Sequence, residues 1–192
     1  MAVGLGYILV EIAFIQRFVL FLGHPVYALT VVVFLLLLSS GAGSMLSRWW
    51  LAETSRMWLP LLLISAALLL YVGVLPDLLG QLVGLPFLAK LMVSAGLLVP
   101  LGFAMGMPFP AGLRALAGRS PRQSAVPPTD ETSGNLVEWA WAMNAASSVL
   151  GSVLAIIIAI QFGLNVTLAC GAGGYLVALG LTTTLRPAHR LG

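Results

Sequence analysis

Charge is what this sequence lacks. Of 192 residues, 8% are Asp, Glu, Lys or Arg and 60% are hydrophobic. The mean hydropathy is +1.05. Ordinary soluble domains carry about 25% charged residues. Nine cationic and six acidic side chains cannot give a chain of this length a solvated surface. That excludes a soluble enzyme domain, a charged-tail protein and a disordered chain. A single cysteine, Cys170, rules out an internal disulfide and leaves the redox compartment unread. No P-loop, nucleophile elbow or metal-ligand spacing occurs, so the chain alone is read as carrying no catalytic residue, cofactor or metal. A net charge of +3 is too small to suggest nucleic acid as a partner.

What is present is a series of long apolar runs. A helix crossing the roughly 30 Å hydrocarbon layer needs about 20 mostly apolar residues. Segments 26–47 and 57–75 each fit one span, and 2–22 and 86–107 span despite internal charges. Residues 139–185 are free of charge, about 70 Å as helix and too long for one crossing. A break at Phe162-Gly163-Leu164-Asn165 divides them into spans 138–161 and 166–185. These runs do not alternate as barrel strands do, and open sheet edges are not viable in lipid. The expectation is a single all-α integral membrane domain, 1–192, with six transmembrane helices. Turn chemistry places Gly23-His24-Pro25 between the first two spans, ends the third at Pro76-Asp77 and opens the fourth at Pro86. The polar stretch 118–135 reads as a flexible loop.

The cations divide by side. Arg48, Arg56, Arg114, Arg119, Arg122, Arg186 and Arg190 fall in alternate loops and the tail, while the opposite loops hold neither Lys nor Arg. Cytoplasmic loops are enriched in these residues, so both termini are expected in the cytoplasm. His24 and His189 then lie on opposite sides and cannot share a metal. Trp49, Trp50, Trp58, Trp139 and Trp141 mark the same cytoplasmic interface. The chain enters its first span almost at Met1, without the basic n-region of a secretory signal. This fits a truncation or a fragment that follows another domain.

Ionisable residues inside spans are the default functional candidates, because burying them is costly. Glu11 lies near the centre of the first span, with Tyr7 one turn before it. Arg17 is six residues on, about 240° around the helix, and does not pair directly with Glu11. Arg17 and His24 share a face near the outer end, and Lys90 in the first turn of the fourth span lies at that level. One reading makes Glu11 a proton or cation site, with Arg17, His24 and Lys90 lining an outer vestibule. The other lets Arg17 and Lys90 snorkel to the interface and makes Glu11 a protonated or paired packing residue.

On the fifth span Glu138 stands at the start, and Asn144, Ser148 and Ser152 form one stripe. It is either a polar lining for substrate or a small-residue packing seam. Residues 41–44 and 170–174 read as packing stretches, and the latter lacks dinucleotide-loop spacing. Pro108 and Pro110 break the fourth span at its cytoplasmic end and are candidate gating residues. Finally, 39–46 and 147–154 share the pattern S-S-x-x-G-S-x-L on the second and fifth spans. If the echo is a repeat, it is a 3+3 inverted one, as inside one half of a major-facilitator transporter.

Three motifs carry a family resemblance. They are Gly6-Tyr7-Ile8-Leu9-Val10-Glu11-Ile12-Ala13-Phe14-Ile15-Gln16-Arg17-Phe18 with the following Gly23-His24-Pro25, Gly102-Phe103-Ala104-Met105-Gly106-Met107-Pro108-Phe109-Pro110, and Trp139-Ala140-Trp141-Ala142-Met143-Asn144. In order along nearly the whole chain, they resemble the carboxy-terminal membrane region of bacterial membrane-bound spermidine-synthase-like proteins. Those proteins join major-facilitator-like helices to an aminopropyltransferase-like Rossmann domain, which has no counterpart in this chain. The resemblance therefore implies no aminopropyl transfer by these residues. It implies a bacterial inner-membrane domain that moves or positions a small cationic substrate such as a polyamine. Glu11, Arg17, His24 and Asn144 from the motifs, with Glu138 from the fifth span's polar cluster, would bind that substrate, and Gln16, Pro25, Met107, Trp139 and Trp141 are further motif positions to test. A single six-helix unit calls for a second membrane half, a homo-oligomer or a larger complex. The alternative reading is an accessory subunit of such a complex, or an anchor for a separately encoded synthase.

Overall fold

The computed structural model describes residues 1–50, 58–117 and 130–184. They form seven helices and, among the described residues, no strand: α1 Ala2–Leu22, α2 Pro25–Trp50, α3 Trp58–Gln81, α4 Phe87–Met105, α5 Pro108–Ala117, α6 Asp130–Phe162 and α7 Leu164–Thr184. Six segments of them are long and apolar enough to cross a membrane, α4 and α5 counting together. The chain has an all-α membrane fold. Residues 118–129, the cations Arg56, Arg119, Arg122, Arg186 and Arg190, and His189 lie outside the described residues.

Local chemistry explains most boundaries. α1 ends at Gly23, whose φ of +80° is left-handed and whose N–H bonds the Val19 carbonyl at 2.9 Å. His24 then caps α2. Its Nδ1 accepts the Val26 N–H at 3.3 Å, and Pro25 takes the first helical position, where no N–H is needed. α6 breaks into α7 at Gly163, φ +88°, within the break expected from the sequence.

Other boundaries differ from the sequence reading. Pro76-Asp77 does not end the third span, because α3 runs on to Gln81. A proline removes one helical hydrogen bond, and buried Leu75 and Leu79 on either side hold the helix against its neighbours. Pro86 stands at the N-cap rather than inside α4. α4 stops at Met105, before the two prolines. Pro108 and Pro110 fall in the first turn of α5, where backbone N–H groups lack helical partners anyway. Of the expected loop 118–135, residues from Asp130 onward belong to helix α6, and the rest lies outside the described residues. From Pro128 to the end of α6 the sequence holds no further proline, so no ring obstructs that helix.

α1 is the hub. It packs on α2, α6 and α7, while α2 packs on α4, and α3 on α7 and α4. Its window is the most buried of the six spans and that of α6 the least. Phe14, Phe18 and Phe21 stack edge to face along it, and Phe14 also meets Tyr71 of α3. The Tyr71 hydroxyl donates to the Leu97 carbonyl at 2.9 Å, tying α3 to α4.

In hydrocarbon no hydrophobic force draws helices together, so close approach of backbones carries the packing. On α2–α4, a Cβ at Gly43 would meet the Phe103 carbonyl, and one at Gly106 the Ser40 carbonyl. On α1–α7, a Cβ at Gly174 would sit 3.1 Å from the Ala2 carbonyl oxygen and from Gly6 Cα. The small-residue stretches 41–44 and 170–174 thus pack through Gly43, Gly171 and Gly174, while Gly41 and Gly173 face open space.

Candidate substrate seam along the first helix

Glu11 is the tenth residue of the 21-residue α1 and so stands near mid-span. It is half-buried. Its electrostatic neighbour is the hydroxyl of Tyr7, one turn earlier on the same side of α1. Tyr7 in turn faces Ser40 of α2 and Tyr175 of α7. Tyr175 is fully buried, its ring lying against Gly6, where a Cβ would come within 3.2 Å of two ring carbons. Glycine at position 6 therefore admits the tyrosine.

The seam's polar atoms are incompletely satisfied. The hydroxyls of Tyr7 and Tyr175 and Oδ1 of Asn144 are buried without a hydrogen bond. Ser40 is the polar side chain nearest to pairing with the Tyr7 hydroxyl, but the two miss hydrogen-bonding geometry, and the Ser40 hydroxyl donates to the Leu37 carbonyl at 3.2 Å. Buried polar groups normally find partners, and leaving one unpaired costs about 1–3 kcal/mol. Three such atoms around one helix contrast with the serines nearby. Ser39 donates to the Leu35 carbonyl at 2.6 Å, Ser148 to Asn144 at 3.0 Å, Ser152 to Val149 at 2.7 Å, and Ser147 to Met143. Ser148 and Ser152 thus spend their hydroxyl protons on their own helix.

The sequence candidates do not converge on one point. Asn144 packs against Gly4, about 10 Å along α1 from Glu11. Glu138 is six residues earlier on α6, about 9 Å further toward that end, and is exposed beside the exposed Trp139 and Trp141. Arg17 lies about 9 Å beyond Glu11 in the opposite direction and donates from Nη2 to Asn165 Oδ1 at the start of α7. His24 caps α2, stacks on Tyr27 at 5.3 Å and is exposed. Lys90 holds its ammonium 5.5 Å from the centre of the Phe21 ring.

At the far end, Pro108 is buried and Pro110 half-buried in the first turn of α5. That short helix is braced on both sides. Arg114 donates to the carbonyl and Oγ of Ser47 on α2, both at 3.0 Å, and Phe109 meets Trp141 of α6 edge-on at 5.0 Å. Sequence reasoning missed Tyr175 and the Arg114–Ser47 tie. For Tyr175 the available signal was a lone hydroxylated ring inside a glycine-rich span. Among the described residues no group of three His, Cys, Asp or Glu could hold a metal ion. No protein family, no curated protein and no solved structure matches the chain.

Proposed function

We propose that the chain is the membrane domain of a spermidine-synthase-like protein and moves or positions a small cationic substrate such as a polyamine. The observation that carries this reading is the row of polar oxygens along α1, three of them buried without a hydrogen bond. Asn144 Oδ1, the two tyrosine hydroxyls and the Glu11 carboxylate are strung along the helix rather than gathered at a point. A compact cation needs clustered ligands. A linear polyamine carries ammonium donors at intervals along an apolar chain, and spaced acceptors in an apolar wall match it. Glu11 supplies the counter-charge at the depth where transporter sites usually lie. Arg17 and His24 face other partners and stand outside this seam.

In this reading the domain sits in a bacterial inner membrane with both termini in the cytoplasm, as the arginine distribution asks. α5, held by Arg114 and Phe109, closes the cytoplasmic end of the α2–α4 pair, and Pro108 and Pro110 mark its hinge. A second membrane half or a second copy completes the path.

The test is uptake of radiolabelled spermidine by proteoliposomes. Wild-type protein accumulates the label, and Glu11→Gln abolishes accumulation while its helical circular dichroism is unchanged. Uptake retained by Glu11→Gln would overturn the assignment of Glu11. A stoichiometric complex purified from native membranes, with no uptake by the chain alone, would select the accessory-subunit reading instead.

A further inference from the structure

A second feature lies outside the seam. α1, α3 and the start of α7 enclose a cleft of about 310 Å³ at the end of the bundle where α1 turns into α2. Its walls are apolar, with Leu20, Pro76, Leu79 and Val83 prominent among them, and Arg17 is the one charged residue on its lining. Arg17 spends Nη2 on Asn165, and its Nη1 has no partner but is covered, so a head group meets the guanidinium when the side chain turns on its flexible stem toward the cleft. A guanidinium has five donors in a planar fork suited to phosphate oxygens. Five residues separate Arg17 from the end of α1, about 7 Å of helix, so the side chain stands just below the membrane interface. An apolar trough with one half-paired guanidinium at that level is complementary to a molecule with an anionic head and a hydrocarbon tail. Free phosphate would leave the apolar walls unused.

We propose that this cleft holds one anionic phospholipid, its phosphate on Arg17 and an acyl chain along Leu20, Pro76, Leu79 and Val83. Gly80 provides a way to block the tail without touching the head. It lines the cleft, and a Cβ there would meet no atom within 4 Å. A leucine at this position therefore adds bulk at the rim of the cleft without disturbing packing, and it favours the helix over glycine.

Native mass spectrometry of the detergent-purified protein, delipidated and then incubated with phosphatidylglycerol or with phosphatidylcholine, reads the outcome. Wild-type protein should retain a single phosphatidylglycerol and at least tenfold less phosphatidylcholine. Arg17→Gln should remove that preference, and Gly80→Leu should lower phosphatidylglycerol retention about tenfold with an unchanged or raised melting temperature. Equal retention of both lipids, or a Gly80→Leu variant that binds as wild type does, would overturn the proposal. So would displacement of the lipid by millimolar inorganic phosphate, since the head alone would then suffice. Arg17→Gln bears on the head contact, and the Gly80 variant keeps the test decisive if Arg17→Gln fails to fold.

Discussion

The two copies of S-S-x-x-G-S-x-L, at 39–46 on α2 and 147–154 on α6, use one sequence pattern for two kinds of contact. On α2 the pattern's glycine, Gly43, lies against backbone, and a Cβ there would strike the carbonyl of Phe103. On α6 the equivalent Gly151 lies against a side chain, the Cγ2 methyl of Ile8. The first crossing is a rigid seam between α2 and α4. The second, α6 on α1, is close as well, since a Cβ at Gly4 would sit 3.0 Å from the Asn144 carbonyl oxygen, but at Gly151 its tightest neighbour is a side chain. A close backbone crossing stabilises the scaffold but leaves no room for a guest. The difference is between a backbone neighbour, which cannot move without its helix, and a side-chain neighbour, which can shift as the proposed function asks.

The same substitution in both copies should break the resemblance most visibly. Gly43→Ala forces a backbone to move and should cost about 1–3 kcal/mol, read as a drop in melting temperature in detergent. Gly151→Ala presses on the Cγ2 methyl of Ile8, which is stiff at χ1 in a helix, but a side chain and a small helix shift can share the strain and alanine's helix preference offsets part of it. The net effect should stay within about 1 kcal/mol. Equal losses at both positions would mean that the two crossings are alike after all. The smallest effect on stability belongs to Tyr175→Phe. Its hydroxyl is buried without a partner, so removing it should leave the melting temperature unchanged or slightly raised. Added spermidine should raise the melting point of the wild-type protein but not of this variant. A variant that is strongly destabilised would show that the hydroxyl serves the fold rather than a ligand.

Much of the architecture was legible in the residues because its causes are local and additive. Hydropathy summed over about 20 residues marks a span wherever the helix packs. Gly23 and Gly163 are positions where a glycine between apolar runs takes a positive φ and ends a helix. Proline was the less reliable sign. Pro76 and Pro100 sit inside helices, and Pro108 and Pro110 begin one, because the outcome depends on the packing around the ring. Glu11 was visible in the sequence as a charge in mid-span. His24, grouped with Arg17 by a seven-residue spacing, is the N-cap of α2 instead, a role set by its own backbone neighbours.

The sequence by itself determined that this is a membrane protein, that it is helical, and where most of its chain reversals fall. Low charge and long apolar runs decide those properties without reference to any distant residue. Only the tertiary structure decided which face of α1 meets which helix. It set Tyr175 of α7 beside Tyr7, Asn144 of α6 against Gly4, and Arg17 beside an apolar cleft between α1 and α3. The reason is physical. In lipid, hydrophobicity is nearly equal on all sides of a helix, so it cannot choose a rotation or a neighbour. That choice falls to glycine-sized gaps and to the few polar groups that need partners, and both depend on residues remote in the chain.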